Sequence, residues 1–502
     1  MPNKIDDYFG SWNIDHDLRA LAQRDVPHWI GNQKVLDGSE IPLVEPHTGE
    51  VVANTFEAGA DLVSKAIASA ENALAGEWSQ LRPLDCQSLM LKLADLIEEH
   101  SEQLAFLESV NVGKPIAQAR EIDVAASVDV LRHFAGFCTR IEGRTGPLSA
   151  YGPGHTGMTV KQPVGVVAVI SPWNFPLQTL VWKCAAAFAA GCVVVAKPSE
   201  MTPASSYIFA ELAAKAGFPA GVLNIVNGTG AITGAALTGD PRIDKITFTG
   251  STATGVLVGQ TAVPNMARVT LELGGKSAAI VAADADLDVA VDGVLNGIFF
   301  NSGQVCDATS RVVVDEAIHD AFMDRLITAA QDLNVGAGLD PETFMSPLVS
   351  QQHRKKVFSY IQAARDDGLS LVVDRGGDSV DETFTGPVIV QDCPQDHPIW
   401  REEIFGPVLA VCKAKGLAAL LELANDTEYG LGASIYSRNM ATILAASKQV
   451  KAGTIYVNGH GFLDPAYPFG GLGMSGVGKD LGAEQVESYL ETKSLLFSEQ
   501  SI

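Results

Sequence analysis

The stretch VVAVISPWNFPLQTLVWKCAAAFAAGCVVVAKPSE, residues 166–200, decides the fold. Its outer pieces, 166–170 and 192–196, are short runs that are apolar on both faces, and the 177–190 segment between them reads as a buried helix. Strands apolar on both faces that alternate with helices imply a parallel sheet covered on both sides. The alternation continues with a helix at 203–216, a strand at 222–226, a short helix near Ile232, a strand at 245–248 and a helix from 253 to about 262. This is a Rossmann-type, doubly wound layer. Ligands on such sheets sit at the carboxyl ends of the strands, so the residues to inspect follow Ile170, Ala196, Val226 and Phe248.

Outward from that layer, a second α/β pattern occupies about 275–475, with strands at 277–281, 311–314, 388–390 and 453–457. Upstream, Val63, Ile67, Ala70 and Leu74, then Leu89, Leu93 and Leu96, recur at helical spacing, which predicts helices over about 60–140. Residues 1 to about 55 read as an irregular arm with two short strands. The Gly-rich span 143–161 and the end, 491–502, look like paired extended segments, and an unburied strand needs a partner. The expected division is one domain from 1–142 and 162–272, a second from 273–477, and a small β oligomerisation element from 143–161 and 478–502.

Composition narrows the function. The 502 residues are 47% hydrophobic and 19% charged, the balance of a chain with a large core rather than a disordered one. Lys+Arg at 35 against Asp+Glu at 59 leaves a net charge of −24, a surface that repels nucleic acid and anionic lipid. The longest uncharged apolar stretch, 184–196, is bracketed by Lys183 and Lys197 and is shorter than the ~18 residues a span requires. The opening MPNKIDDYFGSW has no apolar h-region, so a cytoplasmic location is expected. Cys86, Cys138, Cys184, Cys192, Cys306, Cys393 and Cys412 form no CxxC pair, so neither a disulfide framework nor a metal site is expected.

Element ends deliver the motifs SPWNFP (171–176), KPSE (197–200), FTGSTATG (248–255) and LELGGKS (271–277). FFNSGQVCDATSR (299–311), EEIFGPV (402–408) and PFGGLGMSG (468–476) follow. Read alone, Cys306 is a thiol in a turn after an apolar helix, and its ordinary reading is a buried core cysteine. Asn174 could satisfy its own turn and Glu272 could be a solvated carboxylate. In order and approximate spacing, however, the motifs resemble the aldehyde dehydrogenase superfamily over about 30–495.

That resemblance implies an oxidoreductase that converts an aldehyde, water and NAD to a carboxylic acid and NADH, with NADP possible. By it, Cys306 attacks the aldehyde carbon to give a thiohemiacetal and then a thioester. The Asn174 side chain and the Cys306 N–H form the oxyanion hole, and Glu272 is the base that activates water. The cofactor would lie along Ser171, Pro172, Trp173, Lys197, Ser199, Glu200, Gly230, Phe248, Thr249, Gly250, Ser251, Gly255, Leu273, Gly274, Glu403 and Phe405. Within that set, Gly250, Ser251 and Gly255 would cradle the pyrophosphate at a helix start. Glu200 would accept from the ribose hydroxyls and repel a 2′-phosphate, which tilts the choice toward NAD. Gly228, Gly230 and Gly234 mimic a dinucleotide fingerprint at the wrong spacing and read from the residues as turn and packing. Relatives often carry Glu where this chain has Ala253.

By the same correspondence, Phe175, Trp182, Phe300, Val305, Asp307 and Phe469 would line the aldehyde tunnel, and a homodimer or homotetramer would be the assembly. Ala125 and Ala126 stand where aminoaldehyde-type relatives carry acids. For Asp307 two readings stay open: meeting a cation beside the nucleophile, or binding helix backbone. The alternatives are a coenzyme A-acylating relative, which typically lacks the carboxylate at position 272, and a catalytically silent protein that keeps the fold.

Overall fold

The computed structural model describes residues 4–151, 153–377 and 383–498. The decisive stretch forms the strand Val166–Ile170, the helix Pro176–Ala189 and the strand Val193–Lys197, buried along their lengths. Pro176 opens the helix, where its missing N–H costs no hydrogen bond. The two strands run parallel with Val166 beside Val193. Leu223–Ile225 extends the sheet on one side. Lys245–Thr249 and Arg268–Glu272 extend it on the other, also parallel. The strand order therefore reverses beside Val166–Ile170, and a crevice forms where the connections leave in opposite directions.

The first 55 residues are more ordered than an irregular arm. They hold the helices Lys4–Ser11 and His16–Ala22 and four short strands between His28 and Phe56. Ile5, Tyr8 and Phe9, at helical spacing, are buried in the main core, and this packing makes the segment helical. The strand His28–Ile30 pairs antiparallel with Leu223–Ile225 at Trp29 and, with Gln33–Val35, covers that sheet edge. The opposite edge is covered by Gly476–Val477, antiparallel to Arg268–Glu272.

The chain leaves the first sheet at Glu272 and enters a seven-stranded second sheet at Ala278–Val281. Six of its strands are parallel, and Ser370–Asp374 is the antiparallel edge. Besides the four strands expected, it contains Ser370–Asp374, Val408–Ala414 and Gly432–Tyr436. One core cluster spans the first sheet and its helices, and the second sheet has a cluster on each face. Each fully buried Val, Ile or Leu there is worth about 1.5–3 kcal/mol against exposure. The strand His155–Pro163 pairs along its whole length with Leu490–Ser498, with Thr145–Pro147 at its other edge. Residues 152 and 499–502 of the expected oligomerisation element lie outside the described residues.

Candidate active site

Cys306 follows the helix Leu287–Phe299 through a turn in which Asn301 (φ 47°), Ser302 (φ 55°) and Gly303 (φ 75°) are consecutively left-handed. A non-glycine residue in that region costs roughly 1–2 kcal/mol, so the turn persists only because its surroundings over-determine it. The Asn301 N–H donates to Gln118 Oε1 at 3.0 Å, and Ser302 Oγ donates to the Ser346 carbonyl at 2.7 Å. A Cβ on Gly303 would run into Gly406 backbone. The product is a partly exposed cysteine; the other six are buried.

Asn174 is buried, and its side-chain amide donates to the Gln304 carbonyl at 2.9 Å. One N–H is thereby held, which orients the second. Glu272 ends the strand Arg268–Glu272, is 4% exposed, and neither carboxyl oxygen has a hydrogen-bond partner among the described residues. It packs on Gly470 (φ +148°), where any Cβ would strike the carboxyl group. Burial first, and then the neighbouring Asp480, push its pKa well above the ordinary carboxylate range, against the pull of Lys183 and Lys479. Lys183 and Asp480 are themselves a buried ion pair, Nζ to Oδ2 2.5 Å. The Cys306 thiol is also pushed well above its usual range, by burial and then by Asp307, Glu272 and Glu403. At rest it is a thiol and requires a base.

Two cavities meet at this cysteine. The smaller, about 210 Å³, is lined by Pro172, Trp173, Thr249, Gly250, Ser251, Leu273, Gly274, Glu403 and Phe405 of the expected cofactor set. The larger, about 500 Å³, is lined by all six expected tunnel residues, Phe175, Trp182, Phe300, Val305, Asp307 and Phe469, together with Glu272. Cys306, Phe175, Thr179, Thr249 and Leu273 border both.

The other expected cofactor residues stand outside the smaller cavity. Phe248 and Gly255 are buttresses: a Cβ on Gly250 would enter the Phe248 ring, and one on Gly255 would enter the Leu273 side chain. Ser171 is buried one residue before the lining. Lys197, Ser199 and Glu200 lie at the next strand end, where Lys197 Nζ donates to the carbonyls of Pro198 (2.9 Å) and Gly228 (2.7 Å) and reaches Glu200 at 3.5 Å. Gly230 opens a π-helical turn, Gly230–Gly234, and does not line the cavity. Asp307 lines the larger cavity and accepts from the Tyr456 hydroxyl at 2.8 Å.

Sequence reasoning missed His353, which packs against Trp173 and donates from Nε2 to the Phe405 carbonyl at 2.7 Å. Phe405 has φ +62°, so this bond holds a strained residue against the smaller cavity. Burial lowers the His353 pKa to about 4 and keeps the ring neutral. It also missed the Lys183–Asp480 pair; the only signal was a lysine inside an apolar helix.

Residues 33–495 match the family model described as the aldehyde dehydrogenase family. The chain belongs to that family. The mitochondrial aldehyde dehydrogenase of Leishmania tarentolae is 41% identical over 473 residues, 93% of each chain. The phenylacetaldehyde dehydrogenase of Pseudomonas fluorescens is 38% identical over 97% of this chain and 99% of its own. Among solved structures, the NAD+ complex of aldehyde dehydrogenase from Bacillus cereus superposes with TM-score 0.93 at 37% identity, covering 97% of this chain and 99% of that one. The aldehyde dehydrogenase fold of these neighbours is the doubly wound sheet and second α/β sheet described above.

Proposed function

We propose that this aldehyde dehydrogenase oxidises a small-molecule aldehyde, with water and NAD, to a carboxylic acid. The observation that carries the reading is Cys306 on the shared wall of two cavities, with Asn174 bordering one and Glu272 the other.

The smaller cavity fits a nicotinamide ribose. Glu403 Oε1 accepts the Gly275 N–H at 3.0 Å, which leaves the other oxygen for hydroxyls, and Trp173 and Phe405 offer aromatic faces. A Cβ on Gly274 would run into the Glu403 carboxyl, so the glycine keeps that group in place. The helix Thr252–Ala262, capped by Ser251, supplies free N–H groups for a pyrophosphate. Lys197 and Glu200 would take the adenosine ribose. When bound, NAD accepts hydride from the tetrahedral carbon.

Cys306 attacks the aldehyde carbon as its proton passes to Glu272. The second Asn174 N–H and the Cys306 backbone N–H stabilise the alkoxide, each donor worth about 2.7–4 kcal/mol. Loss of hydride leaves a thioester on Cys306. Once Glu272 has passed the thiol's proton to solvent, its carboxylate, unpartnered and with a raised pKa, takes a proton from water; the water oxygen attacks the thioester, the C–S bond breaks, and that proton goes to the departing Cys306 sulfur, releasing the acid and the thiol. Retention of this carboxylate favours water over coenzyme A as acceptor, and retention of all three reacting side chains speaks against a silent protein.

We assign residues 1–142 and 162–272 to cofactor binding and 273–477 to the catalytic domain, with Gly476–Val477 lent back to the first sheet. The three-stranded sheet exposes Met158, Val160, Leu495 and Phe497 on one face and Leu496 on the other, and the apolar face of four supports a homodimer or homotetramer. No described helix is long and apolar enough to cross a membrane. Seven free thiols support a cytoplasmic location. The test is NADH formation across aliphatic, aromatic, amino and acidic aldehydes, with the product identified as free acid; no turnover of any aldehyde would reject the reading.

A further inference from the structure

Three charged side chains beside the Asn174 loop have no part in the chemistry above. Glu108, Lys114 and Asp123 are 1%, 0% and 0% exposed. Lys114 Nζ donates to Asp123 Oδ1 at 2.5 Å and lies 3.8 Å from the centroid of the Phe175 ring. Glu108 Oε1 accepts the Leu177 N–H at 3.2 Å. Phe175 and Leu177 are one and three residues beyond Asn174, so the trio holds the loop at two points.

The same segment reaches the nucleophile loop. Gln118 accepts the Asn301 N–H at 3.0 Å, and the Asn301 side chain donates to the carbonyls of Asn174 and Gln304, both at 3.3 Å. Gln304 in turn holds the Asn174 amide. Between Gln118 and Asp123 the chain runs into a π-helical turn, Ala119–Val124, a geometry found mostly at functional sites. Two of its residues, Glu121 and Ile122, line the aldehyde cavity.

Stability does not account for the trio, because apolar residues of similar volume usually serve as well or better than buried ions. Its charges nevertheless balance. Burial, then Asp123, raise the Glu108 pKa to about 8, so that at neutral pH it is protonated while Asp123 faces the ammonium of Lys114. The two carboxyl groups hydrogen-bond to each other, with the Ser205 side chain also reaching Glu108, so the proton on Glu108 is shared with Asp123.

We propose that Glu108, Lys114 and Asp123 form a brace that holds the oxyanion-donor loop in register with the Cys306 loop, with Lys114 as its positioning residue. The two loops are 130 residues apart in sequence, from Asn174 to Gln304, and an error of 1 Å in their relative placement can cost about a hundredfold in rate. The proposal rests on Asn174 being the oxyanion donor.

The test compares full-length wild type with Lys114→Met/Asp123→Asn, which leaves no stranded charge, with Glu108→Leu, Glu108→Gln and Asn174→Ala. The readouts are the pre-steady-state NADH burst, NAD affinity and the rate of Cys306 alkylation by iodoacetamide. The brace predicts a burst slowed by about tenfold or more in the double variant and in Glu108→Leu, with NAD affinity and alkylation unchanged. Glu108→Gln, neutral and still an acceptor for Leu177, retains the wild-type burst. A folded double variant at the wild-type burst rate, or equal rates for Glu108→Leu and Glu108→Gln, overturns the brace. If the double variant does not fold, the Glu108 pair decides. Asn174→Ala slowed while the brace variants are not would overturn the brace alone; Asn174→Ala at the wild-type rate in a working enzyme would overturn the donor reading beneath it.

Discussion

The two cavities that meet at Cys306 are built differently. The proposed coenzyme side is made mainly of turns: Pro172–Asn174, Thr249–Ser251 and Leu273–Gly274 come directly off the ends of three parallel strands, and Glu403, Phe405 and the helix side chains His353 and Lys356 complete it. The proposed aldehyde side is made mostly of helix and loop side chains from distant parts of the chain, among them Ile122, Trp182, Phe300 and Phe469. A turn-built wall is fixed by backbone geometry and tolerates little change. A side-chain wall can be rewritten residue by residue without moving the sheet, which is how one scaffold can serve many aldehydes.

The largest expected effect removes what the cavities share. Cys306→Ala should lower NADH formation on the order of 10⁴-fold or more, while NAD still binds, because the coenzyme wall is left intact. Turnover near the wild-type rate, measured by NADH absorbance, would sever the two cavities from a common covalent step. Glu272→Gln comes next, with a loss of about 10²–10⁴-fold and an acyl-enzyme visible by intact mass as a thioester. The sign of the pH dependence follows from the raised pKa of Glu272. Below that pKa the group is protonated and cannot take a proton, so hydrolysis should climb as pH rises through it and level off above. The Gln variant should lose that limb; a retained limb would place the base elsewhere.

The same contrast explains what was legible in the sequence. The first sheet could be read because 166–170 and 192–196 are apolar on both faces and alternate with helices, a pattern a covered parallel sheet explains, and its strand ends marked where a ligand would sit. Cys306, Asn174 and Glu272 stood out only as a set, through resemblance, since each alone has an ordinary structural reading; what the structure adds is that they line two adjoining cavities. His353 and the Lys183–Asp480 pair were not legible, because their partners are 52 and 297 residues away and a lysine inside an apolar helix does not say what it pairs with. The N-terminal helices were misread because their apolar residues are few and gain their meaning only from tertiary burial against residues such as Phe106.

Gly274→Ala should sharpen the comparison from the coenzyme side. The new Cβ would displace the Glu403 carboxyl, so KM for NAD should rise about tenfold, with KM for aldehyde little changed. An equal rise in both would mean that the walls are mechanically coupled through Leu273, which borders both cavities.

The smallest effect is at the outer end of the coenzyme site. Glu200 has a side chain 35% exposed, and Lys197, 3.5 Å away, is tied to two carbonyls. The repulsion of a 2′-phosphate by Glu200 is therefore screened by solvent and partly offset by Lys197. Glu200→Gln should improve the ratio of kcat/KM for NADP over NAD by only about three- to tenfold, most of it through KM for NADP, and the gain should shrink as salt is added. A gain that persisted in high salt would mean that Glu200 excludes the phosphate by shape rather than by charge, and the coenzyme wall would then be as much a side-chain construction as the aldehyde wall.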